Sequence, residues 1–383
     1  MERASPIHAL NHSTLTPIVR RAMSSATVEI HNWSVEPIHS GGGEGLGVYR
    51  FAGNGKDRRQ PVWWSLILKE LGAPAEGGDE DDWNYWKRET MAYGSGLPEN
   101  LPGGLGAPRC FGVEELADGT MRLWLEDLST SNDTPWSVDR YALAARHLGQ
   151  FNGAGLAGHP LPYASWLSND WLRGWVAANN AAVDHLRRVL EHPLVRRVYP
   201  ADVARSFLRL WAEQEAFLGR IDRLPHTLCH LDAFRRNLLS RRLADGSEQT
   251  LALDWAFVGR GAVGEELAPL IRASILFFEA EGIPAQELEE AAFQGYLDGL
   301  ADVGWRGDPQ VVRFGYAASA ALRYGVGTVR LVLPSLLDTR LHARAEQLFG
   351  RPMEEALEMW AAEAKYIATL TDEAHQLAHT LHP

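Results

Sequence analysis

Residues 27–70 break into short runs in which apolar and polar positions alternate. "VEIHNWSVEPI", "HSGGGEGLGVYRF" and "PVWWSLILKEL" are rich in β-branched and aromatic residues, and the charged turn "AGNGKDRRQ" separates the last two. Such runs, punctuated by glycine and asparagine, predict strands joined by hairpins. The acidic stretch "GAPAEGGDEDD" follows. Its Asp81 or Asp82 is placed to cap a helix through "WNYWKRETMAYGSGL", which Gly94 and Gly96 would end. "PRCFGVEEL" and "MRLWLEDL", joined by a turn at "DGT", predict two further strands. Residues 1–26 read as a loosely attached lead-in with at most a helix.

After residue 128 the period changes. In "SVDRYALAARHLGQFNGAGLA", Val138, Tyr141, Leu148 and Phe151 recur at helical spacing. Residues 166–224 are helical in pattern and rich in tryptophan, 226–260 revert to short apolar strands, and 265–383 are helical again. A β-rich region (27–128) followed by a mainly helical one (129–383), with a strand patch inside the latter, is neither βαβ alternation nor a plain bundle. It is an α+β organisation without internal repeats.

Composition narrows the function. At 383 residues, 45% hydrophobic and 22% charged, the chain can build two or three globular cores. No apolar run approaches about eighteen residues, so no membrane segment is expected. Glu2, Arg3 and His8 are not backed by the apolar core of a secretory signal. A net charge of −12 argues against a nucleic-acid surface and leaves cationic small substrates open. Cys110 and Cys229 are the only cysteines, which excludes a disulfide scaffold and leads us to expect a reducing, cytoplasmic setting. Lysine is scarce: only Lys56, Lys69, Lys87 and Lys365 occur, so Lys69 at the end of an apolar strand is conspicuous.

The chemistry concentrates in "CHLDAFRRNLL". Asp232 and Asn237 stand five residues apart. Phosphoryl transfer needs a carboxylate that orients or deprotonates the attacking hydroxyl, and an oxygen ligand for Mg²⁺ nearby. A tight loop with an Asp and then an Asn supplies both, with His230 bracing it by hydrogen bonding. The apolar run "TLALDWAFVGRG" then ends in Asp254, a second oxygen ligand. The 17 residues between Asn237 and Asp254 allow a hairpin through "RRLADGSEQ". A zinc reading of "HTLCH" fails, because strand spacing puts Cys229 opposite His226 and His230 and supplies no fourth ligand. A serine hydrolase is set aside for want of a Gly-x-Ser-x-Gly turn.

"HLDAFRRN", "LALDWAFVGRG" and "GEELAPLI", in this order, make the sequence resemble the aminoglycoside phosphotransferase and choline kinase-like superfamily. The resemblance implies a protein-kinase-like bilobal fold, with a small β-rich N-lobe and a large, mainly helical C-lobe. It implies an ATP- and Mg²⁺-dependent kinase, GTP being an alternative, that phosphorylates a hydroxyl of a small molecule such as an antibiotic, amino alcohol or sugar-like metabolite. Asp232 would orient or deprotonate the hydroxyl, and Asn237 and Asp254 would bind Mg²⁺. Gly42, Gly43 and Gly45 would cover the phosphates, Lys69 would contact them, and Glu89 would pair with Lys69. The backbone around Leu125, Glu126 and Asp127 would meet the adenine edge. A second reading is a kinase-like nucleotide-binding subunit, or a peptide-modifying kinase of a natural-product biosynthetic complex with a peptide or protein partner.

The chain departs from the superfamily where glycine often separates the His and Asp. Here Leu231 stands, with "AFRR" before the Asn. Arg235 and Arg236 would stabilise developing phosphate charge, hold an anionic acceptor, or pair with surface acids. Trp166, Trp171, Trp175, Tyr316 and Tyr324 are core residues by spacing, or else form an acceptor surface or partner interface.

Overall fold

The computed structural model describes residues 10–38, 45–74, 78–129 and 135–380. The chain divides into two compact units, residues 1–80, 85–100 and 106–132 in the first and 81–84, 101–105 and 133–383 in the second.

The first unit is a five-stranded antiparallel sheet in the order β1-β2-β3-β6-β5. Its strands are β1 (Val28–Ile38), β2 (Gly45–Asp57), β3 (Gln60–Leu71), β5 (Cys110–Glu115) and β6 (Met121–Glu126). Alternation along β3 sends Trp64, Leu66 and Leu68 into the core with Phe51 and Trp124. Helix α1 (His12–Ala22) closes that core from one side with Leu15, Ile18 and Val19. Asn11 caps it, its side chain accepting from the Ser13 and Thr14 backbone N–H groups. The loose attachment expected of the lead-in therefore does not describe α1, which is a structural part of the sheet's hydrophobic face.

The helix expected from Asp81 or Asp82 begins later. Helix α2 runs only from Arg88 to Gly94, and Lys87 at its start makes no side-chain cap. The reason is tertiary. Residues 81–84 belong to the second unit, where the Trp83 ring packs 5.7 Å from Trp175 and 5.9 Å from Phe257.

The second unit begins its helices with α3 (Val138–Leu156), α4 (Trp171–Ala178), α5 (Asn180–Val189), α6 (Pro193–Val198), α7 (Ala201–Ala212) and α8 (Gln214–Ile221). The strand patch follows as β7 (His226–Cys229), β8 (Leu238–Arg242), β9 (Glu248–Ala252) and β10 (Gly259–Ala262), with the two-residue β4 (Leu105–Gly106) beside β9. Beyond it come α9 (Ser274–Leu276), α10 (Ala285–Asp302), α11 (Pro309–Leu337), α12 (His342–Phe349) and α13 (Met353–Thr380). Helices α3 and α10 cross closely; a Cβ at Gly299 would lie 2.0 Å from the Arg146 carbonyl oxygen. Among the described residues no helix is long and apolar enough to cross a membrane.

Most of the aromatic residues singled out in this unit lie in its interior. Trp171 is stacked on Trp175, and Trp166, Trp171, Tyr316 and Tyr324 are all buried. Tyr316 donates to Glu289, which also pairs with the buried Arg272. These residues are core rather than an open acceptor surface.

Candidate active site

In the first unit, register places the nucleotide candidates. Val48 of β2 lies opposite Lys69 of β3, and the register shifts between Gly45 and Gly47. A bulge with glycines on both sides therefore sits one residue along from Lys69. Gly42 and Gly43 lie outside the described residues. Lys69 and Glu70 point to opposite faces of β3. The Lys69 ammonium reaches Glu89 of α2 at 2.5 Å, with the Glu89 side chain 2% exposed. Glu70 meets its cross-strand neighbour Arg122 at 2.8 Å.

Leu125 and Glu126 belong to β6. The Glu126 N–H donates to the Arg109 carbonyl, and its carboxylate accepts from the Arg109 N–H. Asp127 accepts from Arg50 at 3.1 Å, from the Ser129 N–H at 2.9 Å and from the Ser65 hydroxyl. The two acidic side chains thus serve neighbouring strands, and only the backbone of this segment remains a candidate for the adenine edge.

In the second unit, β7 pairs antiparallel with β10, Cys229 opposite Gly259. The β8–β9 hairpin turns at the expected "ADGS", with Leu238 opposite Ala252. The Leu253 N–H then donates to the Asn237 carbonyl at 2.8 Å. Register alone thus sets Asn237 beside the segment that carries Asp254. The Asn237 amide N–H group donates to both the Asp232 carbonyl and its carboxylate Oδ2, each at 3.0 Å. Asp232, Asn237 and Asp254 are therefore brought together. Asp254 lies near enough to raise the Asp232 carboxyl electrostatically.

His230 is fully buried, and burial lowers it to about 4, so it is neutral near pH 7. The Leu253 carbonyl can only accept, so Nε2 carries the proton and donates to it at 2.8 Å. The lone pair of Nδ1 then accepts from the Asp232 N–H at 3.2 Å. Both nitrogens are used within the loop, with the ring 4.7 Å from that of the buried Trp255. His230 thus braces the loop through both ring nitrogens.

Leu231 has a φ of +64°, in the left-handed region. That conformation costs a β-carbon residue on the order of 1–3 kcal/mol. It also turns the Leu231 side chain inward, where Gly261 leaves the space: a Cβ there would come 2.9 Å from Leu231 Cδ2. Two compensations are visible. The buried Glu266 accepts from the His230 N–H at 2.6 Å and from the Leu231 N–H at 2.9 Å. Hydrogen bonds contribute roughly 0.5–1.5 kcal/mol each, so the pair offsets strain of this order. Burial pushes Glu266 up to about 7, as it does its neighbour Glu265, which accepts from the Ala262 N–H.

The residue that sequence reasoning missed is Arg323 of α11. It donates to the Leu231 carbonyl, and at 2.7 Å to Asp232 Oδ1. Its guanidinium lies 4.2 Å from the Trp171 ring centre. Burial pushes Asp232 up to about 6, a rise that Arg323 opposes. Arg323 stands in "RYG" within an amphipathic helix, 91 residues from Asp232, and no local signal marks it.

Arg235 and Arg236 engage neighbours away from the loop's acid. Arg235 donates to the Leu238 carbonyl at 3.2 Å and lies 4.6 Å from the Trp136 ring. Arg236 pairs with Glu279 and covers Phe277. Of their three expected roles, the structure displays pairing with an acid for Arg236; Arg235 instead bonds a backbone carbonyl and packs on Trp136.

The donor set suits a hard cation of small ligand demand. Asn237 uses its amide nitrogen on Asp232, and its oxygen and the Asp254 carboxylate would be the protein ligands of such an ion. Mg²⁺ is commonly held by one or two protein oxygens plus phosphates and waters. Among the described residues no group of three or more His, Cys, Asp or Glu side chains is placed to hold a metal, so a closed all-protein site is not on offer.

Residues 125–305 match the family described as "Phosphotransferase enzyme family". No curated protein sequence matches the chain. Several solved structures are similar in fold. One is the amicoumacin kinase hAmiN in complex with AMP-PNP, Ca²⁺ and Ami (13% identity, 94% of this chain and 96% of that one, TM-score 0.52). A second is an aminoglycoside phosphotransferase from Alicyclobacillus acidocaldarius (13% identity, 93% and 94%, TM-score 0.53). A third is a choline kinase from Cryptosporidium parvum Iowa II (12% identity, 95% and 96%, TM-score 0.52). At these identities the likeness is one of fold, and it extends over nearly the whole chain, which thus has the kinase-like α+β fold.

Proposed function

We propose that this chain, whose residues 125–305 match the phosphotransferase family, is a cytoplasmic kinase that transfers the γ-phosphoryl group of ATP or GTP to a hydroxyl of a small molecule. The observation that carries this reading is the Asp232–Asn237 contact at 3.0 Å, set by register beside Asp254. A carboxylate for the attacking hydroxyl and oxygen ligands for a cation are thereby held in one loop-and-hairpin assembly.

In this account the acceptor hydroxyl hydrogen-bonds to Asp232, which aims the oxygen at phosphorus. As the new P–O bond forms, the bond to the bridging oxygen of the nucleoside diphosphate breaks and the hydroxyl proton passes to Asp232. Asn237 and Asp254 would hold Mg²⁺, which would supply positive charge to the phosphates. Lys69, fixed by Glu89, would contact the α- and β-phosphates, and the glycines before β2 would let backbone N–H groups approach them. Catalysis would rest on positioning and charge neutralisation. The fold neighbours whose printed names include amicoumacin kinase, aminoglycoside phosphotransferase and choline kinase support antibiotics and amino alcohols as the first acceptors to try.

The test is nucleoside diphosphate release, with ATP or GTP and Mg²⁺, across a panel of hydroxylated amines, sugars and antibiotics. The reading expects acceptor-dependent release that Asp232→Ala abolishes. Release that survives Asp232→Ala unchanged would refute it.

A further inference from the structure

We propose that Arg323 is the positioning residue of the transfer aspartate, acting from α11 by fixing both the backbone turn and the carboxylate of Asp232. This rests on the phosphotransferase reading above and assigns a residue that lies outside the motif and outside the 125–305 family match. Arg323 is 7% exposed and its planar fork spans two groups of the loop. One nitrogen donates to the carbonyl of Leu231, the strained residue, and the other reaches Asp232 Oδ1 at 2.7 Å.

Each half of the fork has a consequence. The bond to the Leu231 carbonyl supports the left-handed turn together with Glu266, which accepts from the Leu231 N–H. The loop peptide is thus held at donor and acceptor alike. The bond to Oδ1, with Asn237 donating to Oδ2, fixes the plane of the carboxylate. A carboxylate so held cannot swing toward the cation ligand Asp254, and its remaining lone pairs point in fixed directions for a hydroxyl.

The guanidinium is itself immobilised. It lies over Trp171, which stacks on Trp175, and 5.3 Å from the Tyr324 ring. A planar cation on an aromatic face is a rigid support, and a lysine ammonium would lack the fork geometry. These rings are therefore occupied by the protein's own cation and are not the place where a substrate ammonium would be received.

The experiment compares the wild type with Arg323→Ala, Arg323→Gln and Arg323→Lys, using Mg²⁺ with ATP or GTP and the slow transfer to water, so that no acceptor need be known. Nucleoside diphosphate release gives kcat and the nucleotide KM separately, and thermal denaturation checks folding. Misplacing a catalytic group by about 1 Å costs on the order of 100-fold in rate. We expect Arg323→Ala and Arg323→Gln to lower kcat by about that factor with KM unchanged within two-fold. Arg323→Lys should recover only part of the loss, and millimolar guanidinium should restore Arg323→Ala in part. If Arg323→Ala does not fold, the glutamine and lysine variants carry the test. Wild-type kcat in a folded Arg323→Gln protein would overturn the proposal while leaving the phosphotransferase reading intact. A loss confined to KM, or a loss that guanidinium leaves unchanged in every variant, would also overturn it. Absence of any release by the wild type, with or without acceptors, would overturn the reading and this inference together.

Discussion

Lys69 and Asp232 are both charged groups placed by short apolar strands, but they are held in different ways. Lys69 is positioned by the register of β3 and met by Glu89, twenty residues further on. Asp232 is positioned by a turn whose supports come from His230 beside it, Asn237 five residues on, Glu266 after the next hairpin and Arg323 in a distant helix. The first arrangement is an ion pair on a regular element. The second is a buried polar network enclosing a strained residue, in which removing one member leaves others unsatisfied. The nucleotide end should therefore respond to substitution chiefly in binding, and the transfer end in both rate and stability.

The strongest separation of the two comes from Asp232→Asn. It keeps the shape of the side chain and removes the proton acceptor, so kcat should fall by about 10²–10⁴-fold. Nucleotide affinity, followed by thermal shift, should stay within a few-fold. A loss of affinity as large as the loss of rate would merge the two regions and break the contrast.

Lys69→Ala should do the reverse. It would remove the proposed phosphate contact and the Lys69–Glu89 ion pair, so the nucleotide concentration for half-maximal shift should rise roughly ten-fold or more. Unchanged titrations with both nucleotides would remove Lys69 from the phosphate site.

Glu266→Gln sharpens the point about the network. A glutamine offers one acceptor oxygen where the carboxylate serves the His230 and Leu231 N–H groups with two. One buried donor is then orphaned, at a cost of about 1–3 kcal/mol. Denaturant titration should show that loss, with turnover lowered as well. Neutral stability would mean that the left-handed turn does not depend on Glu266.

An effect on stability alone concerns His147, away from the candidate site, whose Nδ1 lies 2.9 Å from the Thr250 hydroxyl. Burial lowers it to about 4 from 6.5. The unfolded chain therefore binds its proton first, and the stability it contributes is present above about 6.5 and lost as the pH falls toward 4. The full loss is at most about 3 kcal/mol. The raised Glu265 and Glu266 act with the opposite sign, losing stability as pH rises toward 7, and are common to wild type and variant. His147→Gln should thus show a shallower loss of stability between pH 6.5 and 4 than the wild type. Parallel curves would remove His147 from the acid response.

The same contrast explains what could be read from sequence. The apolar run marked Lys69 at its strand end, and the spacing of Asp232, Asn237 and Asp254 announced the hairpin that assembles them. These are short-range relations that survive in one dimension. Helix α2 was drawn too long, because Trp83 belongs to the second unit and packs there with Trp171, Trp175 and Phe257. Arg323 carried no local mark, and Glu266 was marked only as part of the run "GEELAPLI", without a role. Their role depends on three backbone groups and a carboxylate that only tertiary packing presents to them. Leu231 looked like a simple departure from glycine; its left-handed backbone and the space left by Gly261 became visible only in three dimensions.

The central claim is that Asp254 and Asn237 make nucleotide binding depend on a divalent cation. The most direct measurement is a thermal-shift titration of wild type and Asp254→Ala with ATP, GTP and Mg²⁺, singly and combined. Ligand binding to the folded state raises the melting temperature by mass action. The account predicts a shift in the wild type that needs nucleotide and Mg²⁺ together and is lost in Asp254→Ala. No shift at millimolar nucleotide, or an equal Mg²⁺-dependent shift in both proteins, would contradict it.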